Sequence, residues 1–292
     1  MTLREPWACY VRPVLQWLFR LSHKVLQRKK RHLLLVMVIL ASTLILVLLL
    51  FSRCDPSYGF QVSLEHHEKE LLLETLDVLT DALTTANVSF LMYAGTLLGS
   101  WRHHGIIPWD DEVDVMVSVQ FKKNVSDLLQ RLKPHYLLNE DQGVRWKFYS
   151  SRAVPIFSKT WSFPFVDICF YLVNSSHFWE LDTKNWAEHN HRKEFIFPLT
   201  LRPFEGRQLP MPRDMVATLT DLYSHLDMCH SSSFNHREEH SLRPCAPVHC
   251  SHLKSRFPFV RRRRAMTGRG CEEMVVLNGT IASWVILPDL KC

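Results

Sequence analysis

Carboxylates crowd one short stretch of this 292-residue sequence, at Asp110, Asp111, Glu112 and Asp114. The alternating valines of Val113–Val117 predict a β-strand around the last of them. Because side chains alternate between the two faces of a strand, we expect Asp110, Glu112 and Asp114 to share one face. Like charges this close repel one another unless a cation lies between them. Ligands that are all oxygen favour Mg²⁺ or Mn²⁺, and Mg²⁺ often accompanies phosphates.

A glycine-containing turn precedes this acidic strand. The apolar stretch Val88–Met92 predicts a strand that leads into Gly95 and Thr96, and a short helix is predicted to end at Arg102. Free amide N–H groups at the beginning of a helix can bind a phosphate. Turn and strand together therefore predict a phosphate and metal site, and the alternative is a solvated acidic loop between two strands.

A single carboxylate interrupts a later apolar run, FPFVDICFYLV, at Asp167. Burying a lone carboxylate is costly unless it has a partner. We predict that Asp167 completes a three-carboxylate metal site with Glu112 and Asp114, and that the site holds Mg²⁺ or Mn²⁺. The alternative is that backbone amides or an arginine satisfy Asp167.

Helices and short strands alternate over residues 64–226, which predicts one α/β or α+β domain, and we favour α+β. The predicted helices are Leu64–Ala86, Thr96–Arg102, Phe121–Leu132 and Pro212–Leu226. The predicted strands are Val88–Met92, Val113–Val119, Tyr136–Leu138, Val144–Ser150, Val154–Phe157, Phe163–Val173, Phe195–Phe197 and Leu201–Phe204.

The N-terminal part predicts a membrane anchor. Residues 33–51 are apolar and uncharged, and at 1.5 Å per residue a helix of that length spans about 28 Å, close to the hydrocarbon thickness. Residues 1–32 carry eight basic side chains against one acidic, a charge of +7, so we expect this tail to stay cytosolic. The whole chain carries +6, which leaves −1 for residues 52–292 and argues against a nucleic-acid partner. We therefore predict a single-pass type II protein of the Golgi or ER membrane, with a stem at 52–63 and a lumenal body.

Sequons and cysteines agree with a lumenal body. Asn124, Asn174 and Asn278 are predicted glycosylation sites, whereas Asn87 immediately precedes a predicted core strand. Seven cysteines follow the predicted anchor, an odd number, so at least one should remain free or pair with another chain.

Residues 227–292 form a tail rich in Cys, His and Arg with few periodic apolar positions. Its cysteines and histidines match no standard zinc-finger spacing, so disulfides, a zinc site and disorder all stay open. The run Arg261–Arg264 predicts a solvated basic segment or a protease cleavage site.

The segment Ala94–Val117 resembles the LicD family, which includes the fukutin and fukutin-related group. The resemblance rests on GTLLG at Gly95–Gly99, Arg102 with His103, and IPWDDEVDV at Ile107–Val115. It extends through Phe165–Phe170 to about Ser224.

This resemblance implies a nucleotidyltransferase-like mixed sheet with flanking helices, here preceded by the predicted transmembrane helix. It also implies transfer of a phosphoalcohol, of the ribitol phosphate or phosphocholine type, from a CDP-alcohol donor to a glycan or glycoprotein acceptor.

The expected catalytic residues are Asp110, Glu112, Asp114 and Asp167, and the expected substrate-binding residues are Gly95, Thr96, Arg102 and Lys147. Asp110 would orient or deprotonate the acceptor, with His103 and His104 as alternative bases. Tyr93 and Trp109 could stack on cytosine or pack in the core.

Two other functions stay open. Glu112 stands where the family usually has Asp, which allows a catalytically weak protein that binds glycans or assists another transferase. Nucleotidyl transfer from CTP to a phosphoalcohol would use the same metal site.

Overall fold

The computed structural model describes residues 37–46, 59–182, 190–266, 270–288, 290 and 292. Residues 37–46 are helical, and the rest of the predicted anchor, like the tail 1–32 and most of the stem, lies outside the described residues. Within the described part of the chain, no helix is both long and apolar enough to cross a bilayer. The chain divides after Cys54 into two units, of which the second is Asp55–Cys292.

A seven-stranded mixed sheet organises this unit, as the predicted α+β class requires. Its path is β1-β2-β7-β4-β3, with β8 paired to β7 and β9 paired to β8, while β5 and β6 form a separate pair. The neighbours β2 and β7 run parallel, and the other pairs described in this sheet are antiparallel. The strands are β1 (Phe90–Met92), β2 (Val113–Ser118), β3 (Tyr136–Asn139), β4 (Arg145–Ser150), β5 (Val154–Pro155), β6 (Ser162–Phe163), β7 (Val166–Val173), β8 (His177–Glu180) and β9 (Asn190–Arg192).

Five helices flank the sheet in the unit's described residues. Leucines spaced three or four apart on the first of them, at Leu72, Leu76, Leu79 and Leu83, are fully buried, as their helical spacing predicts. The helices are α1 (His66–Thr85), α2 (Ala94–His103), α3 (Lys122–Gln130), α4 (Lys193–Ile196) and α5 (Met215–Leu222).

One predicted strand, Phe195–Phe197, is wrong, because α4 occupies most of it. Ile196 is fully buried beside Tyr93, so its apolar character reflects core packing and not sheet pairing. An apolar run of three residues carries no periodicity, and the sequence alone cannot separate the two conformations. The predicted strand Leu201–Phe204 does form, as β10 (Thr200–Phe204), and it pairs in an antiparallel hairpin with β11 (Arg207–Met211), a strand that the sequence did not predict.

The described residues of the tail 227–292 are folded, so disorder does not hold for them. Disulfides join Cys229 to Cys250 and Cys271 to Cys292, and Cys245 is also disulfide-bonded, which removes these thiols from a zinc site. The tail's strands are β12 (Met228–Cys229), β13 (Phe234–Asn235), β14 (His240–Ser241), β15 (Val248–His249), β16 (Phe259–Arg264), β17 (Cys271–Leu277) and β18 (Thr280–Leu287).

Ion pairs explain why this tail folds without an apolar periodicity. The basic run Arg261–Arg264 is part of β16, which pairs with β17 in the three-stranded sheet β16-β17-β18. Across that pairing, Arg262 and Arg263 donate to Glu273 and Glu272. Cys169, on β7, is free and buried, which agrees with the odd number of cysteines after the predicted anchor.

Candidate functional site

The three carboxylates predicted to bind metal lie together at the beginning of two parallel strands. Asp114 on β2 and Asp167 on β7 are directly opposite each other in the parallel register, and Glu112 precedes β2 by one residue. One oxygen from each of the three side chains lies within 4.8 Å of the other two. Asp114 and Asp167 are buried, with 6% and 1% of their surface exposed. The sequence thus located an acidic cluster whose third member is 53 positions away along the chain.

Helix α2 begins next to this cluster, as the predicted phosphate turn requires. Gly95 lies in its first turn, and a side chain at this position would put a Cβ 2.9 Å from Oδ2 of Asp110. Glycine therefore permits the close approach of Asp110. The hydroxyl of Thr96 is buried and accepts a hydrogen bond from the amide of Asp114 at 2.8 Å. It fixes the acidic strand against the helix.

A cavity of about 500 Å³ opens at the cluster. One part of its wall comes from residues that the sequence predicted for the site, Gly95, Arg102, Asp110, Glu112 and Asp114. Another part comes from the tail, which contributes His230, Ser231–Ser233 and His236. The tail is therefore part of the site and not an appendage to it.

Burial sets the protonation of this cluster. Burial, followed by repulsion from Asp111 and Asp114, raises the pKa of Asp110 to about 7. Burial, opposed by His236 and assisted by Asp167, raises the pKa of Glu112 to about 7. Burial and the charge of Glu112 also raise the pKa of Asp114 well above its ordinary value. Without a bound cation, burial therefore favours the protonated forms of these three carboxyls.

Two cations from β4 contact the cluster. The Nζ of Lys147 lies 2.8 Å from Asp167, and this lysine, predicted to bind phosphate, is 5% exposed. Arg145 lies two residues earlier on the same strand, with Nη1 3.2 Å from Asp167 and 3.5 Å from Asp114. The alternative that an arginine satisfies Asp167 is thus partly realised. Arg145 was missed by the sequence interpretation, although its two-residue spacing from Lys147 places both on one face of the strand.

His236 is a second residue that the sequence interpretation missed. Its Nδ1 lies 2.6 Å from Asp111 and its backbone amide donates to the same carboxylate at 3.0 Å. Its Nε2 lies 3.0 Å from Glu112. Burial lowers the pKa of His236, but Glu112 and Asp111 outweigh it and raise the value to about 9. No periodicity or motif in the tail marked this histidine.

The donor set fits a hard divalent cation. Oε2 of Glu112 is buried and has no hydrogen-bond partner, since its contact with His236 lacks hydrogen-bond geometry. All three candidate ligand groups are carboxylates, which suit Mg²⁺ or Mn²⁺. Six carboxylates surround the site, namely Asp110, Asp111, Glu112, Asp114, Asp167 and Glu180, and the described cations that contact them are Arg145, Lys147 and His236.

Arg102 reaches the cavity wall, but its guanidinium is engaged elsewhere. Nη2 donates to the carbonyls of Leu226 and Met228, at 2.9 and 2.7 Å. Burial lowers the pKa of Arg102 to about 10. In the structure Arg102 therefore ties α2 to the beginning of the tail, and its buried Nε has no hydrogen-bond partner.

The two alternative bases lie outside the acidic cluster. His103 bonds to the carbonyl of Pro258 through Nδ1 and stacks near Phe259, and burial lowers its pKa to about 4. His104 bonds to Glu273 at 2.8 Å. Both histidines contact the tail, whose fold the sequence did not reveal, and Asp110 is the predicted base that lies at the site.

The two aromatic residues proposed to stack on cytosine are mainly packed in the core. Trp109 lines the cavity, but its ring contacts Phe60 and Phe257 and its indole N–H donates to the carbonyl of His230 at 2.8 Å. The hydroxyl of Tyr93 bonds to His191 within the core.

All four sequon asparagines are exposed, Asn87 included.

Comparison with known proteins points to one family. Residues 87–214 match the model of the family described as LicD/FKTN/FKRP, nucleotidyltransferase domain. The lipopolysaccharide cholinephosphotransferase LicD of Haemophilus influenzae is 31% identical over 88 residues, which are 30% of this chain and 33% of that protein. An uncharacterized protein of Rickettsia typhi is 36% identical over 53 residues, 18% of this chain and 17% of its own length. The matches thus span a third or less of these relatives.

Two solved structures match this chain at lower sequence identity than these relatives do. The lincomycin-bound lincosamide antibiotic adenylyltransferase LnuA has a TM-score of 0.34 at 13% identity, over 52% of this chain and 85% of that one. ANT(2")-Ia in complex with adenylyl-2"-tobramycin has a TM-score of 0.35 at 9% identity, over 51% and 72%. The sequence matches support LicD family membership through one domain: residues 87–214 match the family's nucleotidyltransferase domain.

Proposed function

We propose that this chain transfers a phosphoalcohol from a CDP-alcohol donor to a glycan hydroxyl in the secretory pathway, with a divalent metal at Glu112, Asp114 and Asp167. The observation that carries the proposal is the cluster of three carboxylate oxygens within 4.8 Å of one another, two of whose residues, Glu112 and Asp114, line a cavity of about 500 Å³. The name of the Haemophilus relative, a cholinephosphotransferase, supports the phosphoalcohol class.

The reaction exchanges one phosphorus–oxygen bond for another. The acceptor hydroxyl oxygen attacks the phosphorus distal to cytidine, the bond to the bridging oxygen breaks, and CMP leaves with the bonding electron pair. The hydroxyl proton goes to Asp110, whose pKa is raised by burial to about 7, and then to solvent. A divalent cation bound here supplies neutralisation of the charge on the transferring phosphoryl group.

The chain's own groups position the donor. Ala94 and Gly95, at the beginning of α2, line the cavity, and this end of a helix favours a phosphate. Arg145 lines the same cavity and offers a guanidinium to the diphosphate. Lys147 holds Asp167 in place at 2.8 Å, and so positions a carboxylate and not the phosphate directly.

We also propose that the chain is anchored by residues 33–51 in the Golgi or ER membrane, with its body in the lumen. The uncharged stretch and the basic flank of residues 1–32 support this location. The exposed asparagines Asn124, Asn174 and Asn278 are accessible to lumenal glycosylation. Gel mobility before and after glycosidase treatment of the full chain tests this placement, and no change in mobility would count against it.

CMP release from a panel of CDP-alcohols tests the enzyme proposal. The full chain should release CMP from at least one of CDP-ribitol and CDP-choline in the presence of Mg²⁺ or Mn²⁺. Asp114→Asn should abolish release, whereas Asp127→Asn, at an exposed surface position on α3, should not. If wild type turns over no donor, the enzyme proposal fails, and pyrophosphate release from CTP would instead indicate nucleotidyl transfer.

One observation favours a second candidate, a catalytically weak glycan-binding or accessory protein. Lys147 and Arg145 already contact Asp167 and Asp114, and Glu112 contacts His236, so cations of the chain itself partly occupy the space around the ligands. Glycan binding without turnover of any donor would select this alternative.

A further inference from the structure

A second cavity adjoins the first. Its volume is about 780 Å³, within the range of small-molecule sites. Ile107 and Asp110 line both cavities. The remainder of its wall comes from α1, from the β10–β11 hairpin and from β17 and β18 of the tail, so elements distant in sequence close around it.

Two cations of this wall, Lys69 and Arg207, are already paired with carboxylates. The Nζ of Lys69 lies 2.8 Å from Glu205, whose Oε1 also accepts from the amide of Ile106. Arg207 makes two hydrogen bonds to Asp77, and Arg256 donates to the carbonyl of Phe60 at 2.8 Å. Because Lys69 and Arg207 are paired and the same wall contains the carboxyl of Asp110, the wall suits a neutral ligand that both donates and accepts hydrogen bonds.

An exposed aromatic ring completes the wall. Trp284 on β18 is 55% exposed, although its indole N–H is bonded to Glu272 and so holds the ring in one orientation. Gln208 and Ser283 add polar side chains to the same wall. Pyranose rings have apolar C–H faces and polar hydroxyl edges, and an aromatic ring flanked by polar groups matches both.

We propose that this second cavity is the acceptor site and that it binds a neutral oligosaccharide, with Trp284 stacking on a sugar ring. The assignment of this ligand as the acceptor rests on the proposed function. Asp110 belongs to both walls and lies against Gly95, so a sugar hydroxyl held at this shared edge adjoins the first cavity, whose wall contains Glu112 and Asp114. The matched domain ends at residue 214, so this part of the acceptor site comes from beyond it.

Binding measured without any donor tests this site. We would record saturation-transfer NMR on the full chain, in a detergent without a sugar headgroup, with neutral tri- and tetrasaccharides of hexose and N-acetylhexosamine. Wild type should bind at least one of them, Trp284→Ala should weaken its binding about tenfold, and Trp284→Phe should restore most of it. Ile281→Ala is the matched control, because Ile281 lies on the same strand with the same 55% exposure but outside this wall, and its binding should equal that of wild type.

Separate outcomes distinguish this proposal from the proposed function. Asp114→Asn should lose CMP release and keep oligosaccharide binding. If wild type releases CMP but binds no neutral oligosaccharide, or if Trp284→Ala and Ile281→Ala bind equally, the acceptor site is overturned and the enzyme proposal stands. Preferential binding of sialylated oligosaccharides or of phosphatidylcholine vesicles would also overturn it, because the ligand would then be an anion or a lipid. Oligosaccharide binding without CMP release would keep the site and remove its role as an acceptor site.

Discussion

Two buried carboxylate centres in this molecule have opposite electrostatics. Glu273 on β17 is fully buried and receives hydrogen bonds from His104, Arg202 and Arg262 at 2.7–3.0 Å. Burial raises the pKa of Glu273, but these three partners outweigh it and lower the value to about 2. At the acidic cluster, in contrast, the pKa of Asp110 and of Glu112 is raised to about 7.

The difference separates a structural charge from a functional one. At Glu273 the chain supplies more cations than it needs, and the network joins the tail to the domain through His104 and Arg202. Around Glu112, Asp114 and Asp167, six carboxyls share three contacting cations. A buried charge is tolerated when it is paired, and an excess of carboxyls over cations points to a cation from outside the chain.

The largest effect should come from Asp114→Asn. Removing one of three ligands should lower phosphoalcohol transfer by at least about 1000-fold, because positioning and charge neutralisation are most of phosphoryl transfer. The same variant should not lower the melting temperature in metal-free buffer, because a neutral amide relieves repulsion among buried carboxylates. Transfer assays and thermal unfolding check the two halves, and a strongly destabilised Asp114→Asn would contradict the distinction between the centres.

Glu273→Gln should have the converse effect. It leaves Arg202 and Arg262 without their buried counter-charge, which should cost about 3–5 kcal/mol of unfolding free energy. Chemical unfolding measures this value, and the folded fraction should still bind metal at the cluster. If Glu273→Gln abolished metal binding while leaving stability unchanged, the roles of the two centres would be reversed.

Lowering the pH should reveal how much Glu273 contributes to the free energy of unfolding. The pKa of Glu273 is lowered from 4.5 to about 2 in the folded state, so its ionised form stabilises the fold fully above pH 4.5. That contribution, on the order of 3 kcal/mol, is lost as the pH falls from 4.5 towards 2. Unfolding free energies measured across this interval should fall more steeply for wild type than for Glu273→Gln, and parallel curves would refute the shift.

Glu272→Gln, one residue away on the same strand, should have the smallest effect. Glu272 pairs with Arg263, which has 58% of its side chain exposed, and pairs of this kind contribute little to stability. Its melting temperature should stay close to that of wild type. If Glu272→Gln lowered the melting temperature as much as Glu273→Gln does, the two carboxylates on β17 would contribute equally to stability.

The sequence predicted the acidic cluster better than its surroundings. Asp167 was identifiable because a lone carboxylate in an apolar strand needs a partner, and its neighbour in the sheet is Asp114. The role of His236 could not be predicted from the sequence, because it depends on how the tail folds. The same holds for the hydrogen bonds from Arg102 to the carbonyls of Leu226 and Met228. The tail is held by disulfides and ion pairs, which leave no period in the sequence from which a fold can be predicted.

Binding of Mn²⁺ to the full chain, measured by electron paramagnetic resonance, tests the central claim most directly. Wild type and Glu273→Gln should each bind one Mn²⁺ that Mg²⁺ displaces, and Asp114→Asn should bind it at least about 100-fold more weakly. The absence of Mn²⁺ binding by wild type, or equal binding by wild type and Asp114→Asn, would contradict the claim that the carboxylates of Glu112, Asp114 and Asp167 form a metal site.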